Sequence, residues 1–240
     1  MPYRRLPNTD SARLKALKIA FQLARENPPF KLAFSQSTFQ RVQSFLPSFE
    51  KALLETRQSF EKQVEKSKDY TRTMKKAKLY VSHFIQVVNM AIMRGELPVS
   101  ERNFYKLDED EKKTPTLQTE AELMEWGRWI IDGEEERKKQ GKSPVTNPTI
   151  AVVKVRYEQF IDAMKFQKTL QKNHQRCLEN LAAMRTSADE IILKVWNEVE
   201  EHYSNLPDAD RRISAEKYGL VYVFRKSELE KAEVDENMRY

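Results

Sequence analysis

The sequence predicts an all-α protein: an elongated helical bundle of long, coiled-coil-like helices with a short extended segment near the C-terminus. Three observations predict it. Between Pro47 and Gly95, and again between Pro148 and Pro207, the chain contains no Gly and no Pro. Both stretches carry apolar residues at helical spacing among Lys, Glu, Ala, Leu and Gln. Only five glycines occur in 240 residues, too few for phosphate loops, dinucleotide folds or β-sandwiches, which depend on tight turns.

A first helix is expected over residues 9–26. Asn8, Thr9 or Asp10 can cap it and Pro28-Pro29 close it, with Leu14, Leu17, Phe21 and Ala24 on one face. Residues 30–34 read as a short, extended connector. A second segment begins near Ser35. Its seam runs Phe39, Val42, Leu46, Phe49, Leu53, Thr56 and Phe60, then through Gln63, Ser67, Tyr70, Met74, Ala77, Val81, Phe84, Val88 and Ala91. Pro47 marks either the first turn of a new helix or a kink, and Arg94-Gly95 is a stop signal. The seam turns polar at Gln63 and Ser67. A single helix over 48–94, ~70 Å long at ~1.5 Å per residue, and a hairpin turning near Ser67-Lys68-Asp69 both fit. The unbroken phase and the missing turn residues favour the single helix.

Residues 97–118 read as a charged linker, with a mixed-charge run from Asp108 to Lys113. Thr119-Glu120-Ala121-Glu122 matches a capping box. The helix that follows carries Leu123, Trp126, Trp129 and Ile130 and becomes highly charged from Glu134 to Lys142, ending at Gly141, Pro144 and Pro148. Residues 149–206 form the second long segment, with Phe160, Ala163, Leu170, Cys177, Leu181, Met184, Ala188, Ile191 and Val195 in the same rhythm. Tyr218 to Phe224 is the best strand candidate, and a frayed tail is expected beyond Arg225.

Leu97-Pro98 and Leu206-Pro207 follow the two long segments, and each is followed by a Tyr-x-Leu: Tyr105-Lys106-Leu107 and Tyr218-Gly219-Leu220. This suggests a duplicated unit, 35–107 and 146–220, in one helical domain of residues 1–240, with a linker and capped helix over 108–145. Any two helices ending in Leu-Pro would share part of this signature.

Composition narrows the chemistry. Met1-Pro2-Tyr3-Arg4-Arg5 is followed by no uninterrupted apolar run, so neither a secretory signal nor a membrane span is expected. The one cysteine, Cys177, excludes an intramolecular disulfide and a cysteine-built zinc site, and fits a reducing, cytoplasmic setting. It falls on the seam and reads as an inert thiol. His83, His174 and His202 have no second His or Cys at i+3 or i+4. Glu198 and His202 do not make the Glu-x-x-His spacing of a di-metal bundle. No catalytic, cofactor or metal site is therefore expected. Trp126 and Trp129 read as core rather than as a binding platform.

Two groups of residues stand out. The net charge is +6, and residues 1–80 hold 17 Lys and Arg against 7 Asp and Glu. Within them Lys62, Lys66, Lys68, Arg72, Lys75, Lys76 and Lys78 form a candidate basic surface for an acidic partner: nucleic acid, an anionic surface or an acidic protein. Lysines interleaved with Glu also serve simply to solvate a helix. His83, Gln86 and Asn89 are a candidate polar pocket. Buried amides there need partners, which would bridge this helix to the second long segment or the tail strand.

Three stretches carry a resemblance: Pro2 to Asp10; Ser82 to Ala91 with Arg94-Gly95-Glu96-Leu97-Pro98; and Tyr218 to Arg225. Together they resemble an uncharacterised, mostly helical family of bacterial proteins of similar length. The resemblance implies a helical fold and a bacterial cytoplasmic protein, and brings no activity, ligand or site residues. The function expected first is a non-enzymatic interaction or scaffold module with an unknown protein partner. A nonspecific nucleic-acid-associated protein using the basic N-terminal third is the second reading, and a small-molecule-binding bundle around His83, Gln86 and Asn89 the third. The seam could also serve a homo-oligomer; whether one chain satisfies it or two stays open.

Overall fold

The computed structural model describes residues 3–108 and 114–223. It is all-α, with two long helices and a single two-stranded β pair. The chain divides into two compact units, Met1–Ser59 with His174–Tyr240, and Phe60–Asn173.

The first unit starts from α1 (Asp10–Glu26). Thr9 caps it, its hydroxyl accepting the Ala12 N–H at 3.1 Å. Leu17 of the predicted face is buried and Leu14, Phe21 and Ala24 pack half-buried against the same core, while Ala16 and Ala20, outside that face, are buried as well. The connector is more ordered than an extended link. Pro29–Lys31 makes a 3₁₀ turn, and Leu32, Ala33 and Phe34 then bury their side chains. They join one core with Val42, Phe49 and Ala52 of α2 (Gln36–Met93) and Ile192, Trp196 and Val199 of α4 (Ile150–His202). A short helix, α5 (Asp208–Glu216), adds Ala215, with Tyr218 and Leu220 following it. Two bidentate ion pairs tie α1 to α4: Arg13 to Asp189 at 2.7 and 2.9 Å, and Arg185 to Asp10 at 2.8 Å through both bonds. Glu198 of α4 accepts the Ser35 N–H and the Thr38 hydroxyl, both at 2.7 Å, and so closes the start of α2. Burial pushes the Glu198 carboxyl up, but these donors outweigh it and hold it below its ordinary value.

The strand candidate shrinks. Tyr218 and Gly219 lie in a turn, with Gly219 at φ +84°. Only Tyr222–Val223 (β2) is a strand, antiparallel to Tyr3–Arg4 (β1), with Tyr3 opposite Val223 and Arg4 opposite Tyr222. Phe224 and the frayed tail expected beyond Arg225 lie outside the described residues.

Both long segments are single helices. α2 runs unbroken through Ser67-Lys68-Asp69, so no hairpin forms there, and α4 is equally continuous. None of those three residues forces a positive φ, and a polar seam does not by itself break the backbone ladder. α2 also begins earlier than Pro47 and passes through it. Gln43, whose carbonyl loses its i+4 donor, is exposed, so water can take that acceptor. Gly95, at φ +75°, ends α2 with its N–H on Ile92 O at 3.0 Å, as the Arg94-Gly95 stop predicts.

The second unit packs the later part of α2 (Val81, Phe84, Val88) against α3 (Glu120–Lys139) and the early part of α4 (Val153, Phe160). The capping box at Thr119 is present: Glu122 N–H to the Thr119 hydroxyl at 3.2 Å, and Glu122 back to the Thr119 N–H at 3.0 Å. The expected linker is partly folded. Val99–Tyr105 is a 3₁₀ helix with Glu101, Arg102 and Tyr105 buried, while Glu109 to Lys113 of the mixed-charge run lie outside the described residues. Gln63 of α2 and Gln167 of α4 each bury a side-chain oxygen that has no hydrogen-bond partner among the described residues. The chain repeats one order of elements: a threonine-capped helix, a long helix, Leu-Pro, a short helix, then a buried tyrosine.

Two helical glycines set the spacing in this unit. A Cβ on Gly133 would stand 2.2 Å from the Phe104 carbonyl oxygen, and one on Gly127 would stand 2.3 Å from the Tyr157 ring. Gly133→Ala is therefore expected to cost about 1–3 kcal/mol by forcing the 3₁₀ helix away from α3. Gly127→Ala should cost less, because a ring can swing where a peptide carbonyl cannot. Urea titration at unchanged m-value measures both, and a Gly133→Ala midpoint equal to wild type would refute the close approach.

Candidate functional site

The later half of α2 presents one outward face. Lys68, Arg72, Lys75 and Lys76 stand at i, i+4, i+7 and i+8, and all are exposed. Leu79, His83, Gln86, Met90 and Met93 continue the same face at 4-3-4-3 spacing. Leu79 is 64% exposed, Met90 53% and Met93 77%. The two groups of candidate residues thus share one surface, basic over its first turns and amphipathic after them. Lys62, Lys66 and Lys78 fall at its sides, between this face and the buried seam, and Lys66 and Lys78 are half-buried accordingly.

The charges on this face are largely unspent. Lys62, Lys68, Lys75, Lys76 and Lys78 make no ion pair among the described residues. Lys66 pairs with Glu65 at 3.0 Å and Asp69 at 3.8 Å, and Arg72 reaches Asp69 at 3.7 Å. The hydrogen bond and charge of Glu65 raise the Lys66 pKa. Exposed pairs of this kind contribute little to stability, so solvation of a helix does not require seven cations here.

The polar trio does not converge on one site among the described residues. His83 and Gln86 are exposed, and the Gln86 amide reaches only Ser82 of its own helix at 3.4 Å. Asn89 is half-buried and accepts a hydrogen bond from Arg102 at 2.6 Å. Its bridge runs to the Val99–Tyr105 3₁₀ helix, not to the second long segment or the tail strand, because the turn at Gly95 folds that helix back against α2.

Sequence reasoning missed the cluster that supports this face from within. Arg137 and Glu134 belong to the run that the sequence marks only as highly charged, yet Arg137 is 1% exposed and Glu134 fully buried. Arg137 donates through Nε to Glu101 at 2.5 Å, and through Nη1 to Glu134 at 2.8 Å and the Tyr105 hydroxyl at 3.1 Å. Its Nη2 donates to the Ser143 carbonyl at 3.3 Å. Tyr105 also donates to Glu134, Lys142 donates to Glu101, and Glu134 accepts the Val145 N–H at 2.7 Å. Burial and the Glu134 carboxylate push the Tyr105 hydroxyl well above its ordinary value, so it stays a neutral donor. Burial opposes the Arg137 charge, but Glu101 and Glu134 more than offset it and its pKa rises. Glu101, Tyr105, Glu134 and Arg137 of the cluster are buried and bonded to one another, so it fastens the segments that supply them. From it, Tyr105 packs edge-on against Phe84 of α2 with ring centroids 5.7 Å apart. The signal was present in the sequence: Leu123, Gly127, Ile130, Glu134 and Arg137 keep one 4-3-4-3 phase, so the charges occupy core positions.

The other singled-out residues do not converge. Trp126 and Trp129 meet edge-on at 4.9 Å and are both half-buried, with the Lys106 ammonium 4.6 Å from the Trp129 ring. Cys177 is half-buried. Among the described residues, no three His, Cys, Asp or Glu are placed to hold a metal ion, and no helix is long and apolar enough to cross a membrane. No protein-family model, curated protein or solved structure matches this chain.

Breaking the buried cluster on one side should be severe. Arg137→Met leaves Glu101 and Glu134 without their guanidinium and is expected to cost about 3–5 kcal/mol. Burial alone would raise the Glu101 carboxyl, but Lys142 and Arg137 hold it below its ordinary value. A lowered folded pKa contributes stability that is complete above the unfolded value of about 4.3 and is lost as pH falls through the folded value. Urea stability should therefore drop between pH 7 and about pH 3, and Glu101→Gln should show a smaller drop over that range. An unchanged drop would mean that Glu101 is not held charged.

Proposed function

We propose that this protein is a non-enzymatic interaction module that docks an acidic, amphipathic helix of a protein partner along the outward face of α2. The observation that carries the reading is the continuity of that face, with unpaired cations at Lys68, Lys75 and Lys76 running directly into exposed Leu79, Met90 and Met93. Such a face fits a partner helix with carboxylates over one part of its length and apolar residues at heptad spacing over the other. Methionine suits it, because its flexible thioether adapts to varied knobs. Nucleic acid accounts for the cations but not for three large apolar side chains in line with them, since phosphates are tracked by charge along the whole contact. The single cysteine supports a cytoplasmic setting.

The test is fluorescence anisotropy with two probes: a labelled helical peptide bearing Leu at heptad positions and a Glu-rich half, and a labelled DNA duplex. The peptide is expected to bind with micromolar affinity that weakens with salt. Reversing Lys68, Arg72, Lys75 and Lys76 to Glu should weaken it at least ~10-fold, and Leu79→Ser with Met90→Ser and Met93→Ser should do the same with less salt dependence. DNA binding that survives the serine variant would hand the face to nucleic acid. Binding of neither probe at low salt would overturn the reading.

A further inference from the structure

A cleft in the other unit has a chemistry of its own. It is a cavity of about 440 Å³ between the segment that leads into α1, α1 itself, α4 and the segment that leads into β2. That volume is within the usual range for small-molecule sites. Its floor is the nearly buried ring of Trp196, and its walls are Ala16 and Ile19 of α1 with Leu6 and Leu220. Three ionisable groups line it: Arg5, Lys15 and Glu216. The Arg5 backbone N–H is engaged with Val221 O at 2.8 Å. The Arg5 guanidinium and the Lys15 ammonium, however, make no ion pair or hydrogen bond among the described residues. Three other cations of this unit are engaged: Arg4 with Glu200 and Asn197, Arg13 with Asp189 and Arg185 with Asp10. The cleft therefore has an apolar, aromatic-floored interior and an excess of one positive charge, with two donors free.

We infer that this cleft binds a small amphiphilic carboxylate, with its hydrocarbon or aromatic body against Trp196 and its carboxylate between Arg5 and Lys15. A neutral apolar molecule would leave the two cations unanswered. A cationic amphiphile would meet repulsion from both, with Glu216 alone in its favour. A free inorganic anion would gain nothing from the apolar walls. The apolar part of the binding should grow with chain length, by about fourfold in affinity per methylene until the cleft is full.

Trp196 supplies the readout. In the full chain carrying Trp126→Phe and Trp129→Phe it is the remaining tryptophan, and its fluorescence is titrated with hexanoate, octanoate and decanoate below micelle-forming concentrations. Decanol and decyltrimethylammonium serve as uncharged and cationic controls. The expected result is a saturable change, tighter by about tenfold or more per two methylenes. It should be tightest for decanoate, and at least tenfold weaker for decyltrimethylammonium. Arg5→Gln with Lys15→Gln should weaken decanoate about tenfold or more and leave decanol unchanged. Ala12→Phe, at a half-buried position on the cleft wall, should fill the space and abolish binding of all three carboxylates. The helical circular dichroism of each variant shows that it has folded. Equal affinity for decanoate and decyltrimethylammonium, a signal that does not saturate, or decanoate binding untouched by Ala12→Phe would each overturn the inference.

Discussion

A guanidinium with almost no exposure to water is the constraint on which the second unit depends. Removing the Arg137 charge from solvent costs several kcal/mol, and only a complete set of partners offsets that. The partners come from three places in the chain: Glu101 and Tyr105 from the 3₁₀ helix, Glu134 from one turn earlier in α3, and the Ser143 carbonyl from the loop before α4. Glu134 in turn takes the Val145 N–H. Satisfying one side chain therefore fixes where three segments sit. Gly133 makes this feasible, because the Phe104 carbonyl occupies the space of its missing side chain.

The position of α2 follows from that arrangement. Tyr105 lies against Phe84, and Arg102 holds Asn89, so the inner side of α2 is fastened at two points one and a half turns apart. The outer side of the same turns carries Leu79, His83, Gln86, Met90 and Met93. A surface held this way has little backbone entropy left to lose when something docks on it. Its long methionine side chains still adapt. Rigid backbone with compliant side chains is a sound basis for recognition that does not need a cavity.

Much of this was legible in sequence, and the failures have physical causes. The long helices were readable because a seam of sixteen positions, Phe39 to Ala91, kept phase through Pro47 and met no further Gly or Pro. The Thr119 box and the Gly95 stop were readable because each needs specific atoms at fixed offsets. Glu134 and Arg137 were not, because a charged run reads as solvated unless its phase is followed past the last apolar residue. β1 and β2 were beyond reach as a pair: two-residue strands have no periodicity, and their pairing depends on α1 and α4 bringing distant segments together. For the candidate surface, the cations were visible but not their shared face with Met90 and Met93, since the two groups had been read for different chemistries. The exposure of His83 and Gln86 depended on which face α3 and the 3₁₀ helix would cover, and seam spacing alone does not say that.

The two units differ in how the chain supplies them. Phe60–Asn173 is one continuous stretch, whereas the other unit draws on residues up to Ser59 and from His174 onward. Contacts within the first kind are cheap to form, because the loops they close are short. The pairing of Tyr3 with Val223, or of Arg13 with Asp189, must wait until nearly the whole described chain exists. On a ribosome the continuous unit thus has its full complement of residues first, while α1 and the opening turns of α2 emerge early and stay without their α4 partners. Until then Leu17, Val42 and Phe49 lack Ile192, Trp196 and Val199, the α4 residues of their core. The discontinuous unit therefore closes its core last, and its early-made apolar faces wait longest for the residues that complete it.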